Sequence, residues 1–185
     1  MKSLTYTTSP YYRPDIDGLR AIAVSLVVLC HAFPSTFAGG YIGVDIFFAI
    51  SGYLISSILF RGLDKGSFSF WDFYAKRSRR IFPALIFVIV VGLIIGALLL
   101  TPREFKELGA EAMFGSIFFE NFRLARGIDY FGLEIARKPF MHLWSLGVEE
   151  QFYMVFPLLL WASWKLLKGR VGWLLSGLLI ASFAT

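Results

Sequence analysis

One stretch of the sequence, residues 81–100, constrains the fold more than any other. Its twenty residues carry no charged side chain and are almost entirely apolar. A helix needs about 20 predominantly apolar residues to cross the hydrocarbon core of a bilayer. A soluble domain of this size has too little interior to bury such a stretch together with the other apolar runs. Residues 81–100 therefore predict a membrane-spanning helix.

The composition excludes the other broad classes of protein. Of the 185 residues, 57% are apolar and only 17% are charged, whereas a soluble domain is about half apolar and a quarter charged. The chain is also far too apolar to be intrinsically disordered. The net charge of +5 is spread in short clusters between apolar runs, so no nucleic-acid partner is predicted. The expected partner is the lipid bilayer.

Four further apolar runs contain polar residues or stop early. We predict an all-α, polytopic membrane protein with four full transmembrane helices and a truncated fifth. Besides 81–100, the predicted spans are 19–33 (broken by Arg20 and His31), 41–60 (by Asp45), 143–164 (by Glu149, Glu150 and Gln151) and the short 171–185.

The basic residues predict the orientation of these helices. Residues 1–18 are polar and lack the apolar core of a cleaved signal peptide, so we expect them to form a cytoplasmic N-terminal segment. With that orientation, 12 of the 18 Lys and Arg residues fall in cytoplasmic segments, as the positive-inside rule requires. The protein is thus expected to be a multi-pass protein of the cytoplasmic membrane.

The connection 101–141 is predicted to be extracytoplasmic. Its most apolar part, residues 108–122, has only 15 residues and contains Glu111 and Glu120. It is too short and too charged for a span, and we expect an interfacial or re-entrant helix. If it did cross the membrane, the basic residues after the fourth span would move outside and the charge bias would fade.

Ionisable residues inside the predicted spans are candidates for function, because a charge at membrane depth is costly. Arg20 and His31 are eleven residues apart, so they share one helix face, about 16 Å apart along the axis. Asp45 enters the second helix at a depth near that of His31, where a carboxylate would orient the imidazole. The alternatives are that Arg20 only anchors the helix, that His31 bonds a neighbour, and that Asp45 makes a packing hydrogen bond. Cys30 is interpreted as a small packing residue.

Residues 76–83 place four basic side chains at the predicted cytoplasmic end of the third helix. Arg77 and Arg80 are three residues apart and share a face, which makes a fork suited to phosphate groups. Pro83 is tolerated near the start of a helix. The alternative is a cluster that only orients the helix.

Polar groups are dense where the fourth span begins. If the segment is helical, His142 and Glu149 share a face and Tyr153 lies one turn further on. These groups are expected at the outer end of the bundle. An interfacial belt of Trp144 and Tyr153 with solvated glutamates is the alternative. No metal-ligand spacing or nucleotide fingerprint is present, and no metal site is predicted.

Four motifs in order make the chain resemble the membrane-bound acyltransferase 3 family from Arg13 to about Pro157. The motifs are Asp17-Gly-Leu-Arg20-Ala followed by His31, the block Gly39-Gly-Tyr-Ile-Gly43-Val-Asp45-Ile-Phe-Phe-Ala-Ile-Ser-Gly-Tyr53, Arg77-Ser-Arg-Arg80-Ile-Phe-Pro83, and His142-Leu-Trp144-Ser through Glu149-Glu150-Gln151-Phe-Tyr153.

The resemblance implies transfer of an acyl group, usually acetyl, from cytoplasmic acyl-CoA to a hydroxyl of an extracytoplasmic carbohydrate. The acceptor class is a bacterial surface polysaccharide, a lipopolysaccharide O-antigen or peptidoglycan. Acyl-CoA is a substrate, and no permanently bound cofactor is implied. The implied residue sets are catalytic His31, Asp45 and Glu149, acyl-CoA-binding Arg20, Arg77 and Arg80, and acceptor-binding His142, Trp144, Glu150, Gln151 and Tyr153.

The length departs from the family pattern, because the acyltransferase unit of the family is about twice as long, with about ten helices. We therefore expect residues 1–185 to be the N-terminal part of that domain, with the remaining helices elsewhere. Two other functions stay open from the sequence. A transporter or flippase also places charges within the membrane, although it more often shows two matching halves. A non-catalytic membrane partner would tolerate loss of His31 and of the arginine pair.

Overall fold

The computed structural model describes residues 13–126, 138–166 and 171–183. Within these ranges the protein is all-helical, as predicted, and contains no strand. The helices are α1 (Pro14–Ala32), a short 3₁₀ helix (Ala38–Tyr41), α2 (Ile42–Asp64), α3 (Phe70–Leu99), α4 (Pro102–Ser116), α5 (Glu120–Ala125), α6 (Leu143–Leu166) and α7 (Val171–Phe183). The chain divides into two compact units, Met1–Ser56 and Ser57–Thr185, and the division falls within α2.

Two segments of the described chain are long and apolar enough to cross a membrane. They are Ala38–Asp64 and Phe70–Leu99, and they contain the predicted spans 41–60 and 81–100. Only 11% of the most apolar stretch of the second is buried within the protein, so its apolar side chains face outward. The other predicted spans, 19–33, 143–164 and 171–185, correspond to α1, α6 and α7, with residues 184–185 outside the described ranges. Their membrane crossing stays a prediction.

In the first unit, two glycines allow α1 and the start of α2 to approach closely. A Cβ atom on Gly40 would collide with the Leu26 carbonyl oxygen, and one on Gly43 would collide with the Ala23 carbonyl oxygen. Ala23 is completely buried at this contact. Small residues permit such backbone contact between membrane helices. Gly40 and Gly43 therefore determine how closely the two segments pack.

In the second unit, α3 begins earlier than predicted. Ser69 caps the helix, because its hydroxyl accepts a hydrogen bond from Asp72 N at 3.3 Å. The helix then runs without a break through the basic cluster, and Pro83 lies in its interior. The prediction that Pro83 lies near a helix start is therefore wrong. The Ser69 cap, well before the apolar run, determines where the helix starts.

The connection after α3 folds back along that helix. Thr101 and Glu104 form a reciprocal capping box at the start of α4, and Leu108 packs against Gly96. Further along, the rings of Phe118 and Phe82 lie 5.9 Å apart. The connection therefore follows α3 from its end back toward its middle, as a re-entrant segment would.

The predicted single helix over residues 108–122 is interrupted. Helix α4 ends at Ser116, and α5 starts at Glu120. Between them Phe118 has a φ of 61°, in the left-handed region that costs a bulky residue about 1–3 kcal/mol. The prediction of one continuous helix here is wrong, because this turn redirects the chain.

Side chains join α3 and α6 in antiparallel order. Tyr74 donates a hydrogen bond to Met154 O at 2.9 Å, and the Phe70 and Trp161 rings meet edge to face at 5.8 Å. Residues further along α3 thus meet residues earlier in α6. A buried apolar cluster lies further along α3 and includes residues of α4 and of the start of α6. Its members are Leu85, Leu108, Ala112, Phe140 and Leu143.

Candidate active site

A charged cluster links α3 to α6 around Arg77. Arg77 Nη2 lies 3.5 Å from Glu149 Oε1, and Arg77 Nε lies 3.7 Å from Glu150 Oε1. The guanidinium carbon is 3.3 Å from the centroid of the Tyr153 ring, which is a cation–π contact. The Tyr153 hydroxyl donates a hydrogen bond to Glu149 Oε1. Two of the sequence motifs therefore meet at one site.

The helical spacing of α6 explains this arrangement. Glu149 and Tyr153 are four residues apart, so both project from one face. The side chains of Arg77, Glu149 and Glu150 are only 18%, 26% and 10% exposed. One guanidinium therefore faces two largely buried carboxylates, which leaves the cluster one negative charge in excess when all three groups are ionised.

The contact corrects one part of the sequence prediction. The sequence predicts Arg77 at the cytoplasmic end of the bundle and Glu149 at the outer end. Their 3.5 Å separation shows that they lie at the same level, so the expected separation is wrong. Nothing in the spacing reveals that α6 begins beside the middle of α3, where Phe140 and Leu143 pack with Leu85.

Arg80 differs from Arg77 in its surroundings. The Arg80 side chain is exposed, and the described part of the chain gives it no ion pair. A separation of three residues turns the two side chains about 60° apart around the helix axis. Arg77 thus faces α6, whereas Arg80 stays open to a ligand. A joint role in binding phosphate stays a prediction.

At the start of α6, the structure places His142 just before the first helical residue, Leu143. His142 is exposed, its carbonyl accepts a hydrogen bond from Ser145 Oγ at 3.0 Å, and Trp144 is half-buried. His142 thus directly precedes the helix, and the turn that leads into it is hydrogen-bonded from Trp144 N to Met141 O at 3.0 Å. That His142 shares a face with Glu149 stays a prediction.

Gln151 is held by residues of the preceding connection. Its Nε2 donates to Phe118 O at 2.6 Å and to Asn121 Oδ1 at 3.0 Å. Asn121 Nδ2 in turn donates to Gln151 Oε1 at 3.1 Å. Both amide hydrogens of Gln151 are thereby used within the protein. Asn121 belongs to none of the sequence motifs.

The remaining candidate residues belong to the first unit. His31 Nδ1 lies 2.8 Å from Val27 O. Since a carbonyl oxygen can only accept, Nδ1 carries the proton and the neutral ring keeps its lone pair on Nε2. Asp45 is exposed and makes no hydrogen bond to His31 among the described residues. The orienting role predicted for Asp45 is thus filled here by Val27 O.

Two arginines of the first unit are also defined. Arg13 donates to both carboxylate oxygens of Asp15, at 2.9 and 2.6 Å, and to Tyr53 Oη at 3.2 Å. The Arg13 hydrogen bond lowers the pKa of Asp15 to about 2. Arg20 is half-buried, and its Nε makes no hydrogen bond to any described residue. A role for Arg20 in binding phosphate stays a prediction.

A second buried charge cluster lies on α4 and α5. Arg123 makes a bidentate contact with Glu120, with the shortest distance 2.6 Å, and its Nη2 lies 3.6 Å from Glu111 Oε1. Glu111 Oε2 accepts from Phe140 N at 3.2 Å. Burial raises the pKa of Glu111. From the sequence alone, Glu111 and Glu120 indicate only that residues 108–122 do not span the membrane. The signal that predicts part of the cluster is the i, i+3 spacing of Glu120 and Arg123, which is typical of a helical ion pair.

Comparison with known families identifies the class to which these motifs belong. Residues 13–185 match the family described as "Acyltransferase domain". The chain belongs to this acyltransferase family, and the resemblance found in the sequence motifs is confirmed. No solved structure matches the chain.

Curated relatives share about a third or more of the aligned residues. The chain is similar to O-acetyltransferase OatA of Staphylococcus aureus strain NCTC 8325, with 37% identity over 161 residues, covering 86% of the chain and 26% of the relative. It is similar to peptidoglycan O-acetyltransferase OatA of Listeria monocytogenes, with 40% identity over 160 residues, covering 83% of the chain and 25% of the relative. A putative O-acetyltransferase of Staphylococcus aureus strain MSSA476 is 35% identical over 187 residues, covering 98% and 30%. The chain thus spans about a quarter of the length of these relatives.

Proposed function

We propose that the full-length protein is a bacterial membrane O-acyltransferase that moves an acetyl group from cytoplasmic acyl-CoA to a hydroxyl of an extracytoplasmic glycan. The observation that carries this proposal is the match of residues 13–185 to the acyltransferase domain. Peptidoglycan is the first acceptor to test, because one relative is named a peptidoglycan O-acetyltransferase. Lipopolysaccharide O-antigen and other surface polysaccharides belong to the same chemical class of acceptor.

The proposal includes a membrane arrangement. The chain supplies four full transmembrane helices and part of a fifth in the inner membrane, with residues 1–18 in the cytoplasm and 101–141 on the outer side as a re-entrant connection. The two apolar segments Ala38–Asp64 and Phe70–Leu99 support it. The fold of α4 back along α3 supports the re-entrant part, since Leu108 packs on Gly96. The remaining helices of the domain complete the site.

His31 is proposed as the general base. Its Nδ1 is bound to Val27 O, which leaves Nε2 to take the proton from the acceptor hydroxyl. The hydroxyl oxygen then attacks the thioester carbonyl, the carbon–sulfur bond breaks, and the CoA thiolate leaves and receives the proton. Imidazole suits this task because it can take up and release a proton near neutral pH. Asp45 would support the imidazolium as the proton is held.

The donor end is proposed to use the arginines. Arg80 is exposed, so its guanidinium can meet a CoA phosphate directly. Arg20 is proposed as a further phosphate ligand on the strength of the family motif that contains it. Arg77 already faces Glu149 and Glu150, and a phosphate would have to replace a carboxylate as its partner. In this proposal Arg77 binds a CoA phosphate and gives up its contact with Glu149. Glu149 is then available for its proposed catalytic role.

The acceptor end is proposed to include the start of α6. His142 is exposed and Trp144 half-buried, so the two can offer a hydrogen bond and a stacking surface to a sugar. The other proposed acceptor-binding residues lie further along α6, at the level of Arg77, and so further from a sugar bound at the start of that helix. They are Glu150, Gln151 and Tyr153. We therefore expect their contribution to sugar binding to be smaller than that of His142 and Trp144.

A reconstitution experiment tests the proposal. The full-length protein is placed in permeable vesicles with labelled acetyl-CoA and a peptidoglycan oligosaccharide, and the label on the sugar is measured. His31→Asn keeps a donor for Val27 O and removes the base, so transfer should fall by about 100-fold or more. Cys30→Ala, the neighbouring residue, should retain the wild-type rate. Undiminished transfer by His31→Asn would refute the general-base role, and movement of glycan without acetylation would favour a transporter.

A further inference from the structure

We propose that Asn121 and Gln151 form a positioning pair that fixes the rotation of α6, so that Glu149 and Tyr153 face Arg77. This inference rests on the proposed acyltransferase function. The pair is reciprocal, because each carboxamide both donates to and accepts from the other, at 3.0 and 3.1 Å. Asn121 is the only asparagine and Gln151 the only glutamine in the 185 residues. No second carboxamide in this chain could replace either partner.

The pair anchors a constrained turn. Phe118 is the only non-glycine residue with a positive φ, 61°, among the described residues. Its carbonyl oxygen accepts the second hydrogen of Gln151 Nε2 at 2.6 Å. Backbone strain of this kind persists only where the surroundings hold it. Gln151 therefore bonds both to the turn and to the first part of α5.

Gly147 gives the turn room to reach α6. A Cβ atom on Gly147 would lie 3.0 Å from Phe118 O, closer than an ordinary carbon–oxygen contact. Gly147 and Gln151 are four residues apart, so they share one face of the helix. The Phe118 carbonyl thus contacts α6 at a glycine and is bonded one turn later by a glutamine.

Glu149 and Tyr153, which contact Arg77, project from another side of α6. At 100° per residue, they lie about 120–160° around the helix from Gly147 and Gln151. Rotation of α6 about its axis would therefore disturb both faces together. The Asn121–Gln151 pair holds one face against the α4–α5 turn and thereby presents the other to Arg77. Asn121 touches none of the proposed catalytic residues, which makes it a positioning residue.

Kinetics of the full-length protein with acetyl-CoA and a peptidoglycan oligosaccharide test this inference. Asn121→Ala and Gln151→Ala should each lower kcat about tenfold, because small displacements of catalytic groups are costly. The KM for acetyl-CoA should change by less than about twofold. The double variant should match the single variants, since the pair acts as one unit. Asn121→Asp keeps the acceptor for Gln151 and should lose less activity than Asn121→Ala.

Ser116→Ala is the matched control. The Ser116 hydroxyl belongs to the same connection but donates only to Met113 O of its own helix, at 2.7 Å, so kcat should stay at the wild-type value. If Gln151 served only to bind the acceptor, Gln151→Ala would raise the acceptor KM and Asn121→Ala would leave the kinetics unchanged. That result would overturn the inference.

Thermal unfolding of the purified full-length variants gives a readout independent of the reaction. Each alanine variant should lower Tm by about 2 °C or more, and the double variant should lower it no further. Additive shifts in Tm would contradict a coupled pair. Absence of transfer by the wild-type protein would instead count against the proposed function, and the melting experiment would still decide whether the pair exists.

Discussion

Replacement of Gly43 by alanine tests the close contact between α1 and α2. A methyl group at this position would collide with the Ala23 carbonyl oxygen and lie 2.8 Å from Val27 Cγ2, where ordinary contacts begin at 3.4 Å. The Ala23 oxygen belongs to the backbone of a helix and cannot rotate away. The two helices must therefore separate by at least several tenths of an ångström. Overpacking of this kind costs about 1–3 kcal/mol.

A matched variant isolates that cost. Gly52 lies in the same helix, and a Cβ atom added to it would have no other atom within 4 Å, so Gly52→Ala makes no collision. Both substitutions gain about 1 kcal/mol of helix propensity. The free energy of unfolding should therefore rise by up to about 1 kcal/mol for Gly52→Ala. For Gly43→Ala it should fall by up to about 2 kcal/mol.

The assay is equilibrium unfolding of the purified full-length variants in one detergent, followed by intrinsic fluorescence. The difference between the two variants, about 1–3 kcal/mol, reports packing alone because the propensity gain is common to both. Acetyl transfer should fall with Gly43→Ala and persist with Gly52→Ala, since Gly43 is two residues from Asp45. Equal stability of the two variants would refute the argument that Gly43 holds the helices in contact.

Three further predictions concern the second unit. Burial raises the pKa of Glu111, so the folded state binds more protons than the unfolded state, and stability falls as pH rises toward the raised pKa. Glu111→Gln keeps an acceptor for Phe140 N and should flatten that fall in a pH series of Tm. An unchanged slope would contradict this prediction. Thr101→Ala removes the capping box of α4 and should cost about 1 kcal/mol of unfolding free energy; no change in chemical denaturation would contradict this. Arg77→Lys keeps the charge but loses the planar contact with Tyr153 and should lower kcat about tenfold, and wild-type kinetics would show that the contact is dispensable.

Local signals in the sequence predict most of the helices but not their limits. The charge-free stretch 81–100 predicts a helix because apolar length alone is decisive. The start of α3 at Phe70 depends on a single hydroxyl, that of Ser69, which has no apolar pattern to mark it. The turn at Phe118 has no sequence signal, because phenylalanine rarely adopts a positive φ and tertiary contacts hold it there.

The candidate site shows a similar division between residue identity and placement. The motifs identify Arg77, Glu149, Glu150 and Tyr153 as candidates, and the structure brings all four together. Their contact cannot be read from spacing, since it depends on the level at which α6 meets α3. For the same reason the sequence does not predict a role for Asn121, because that role depends on its contact with Gln151.

Sidedness of transfer in sealed vesicles tests the central proposal most directly. The full-length protein is reconstituted in one orientation, with labelled acetyl-CoA on the side of the N-terminus and a peptidoglycan oligosaccharide only on the other side. The proposal predicts acetylated sugar on the side opposite the acetyl-CoA in intact vesicles, and His31→Asn should abolish it. Label that reaches the sugar only when both substrates share one side would contradict transfer across the membrane.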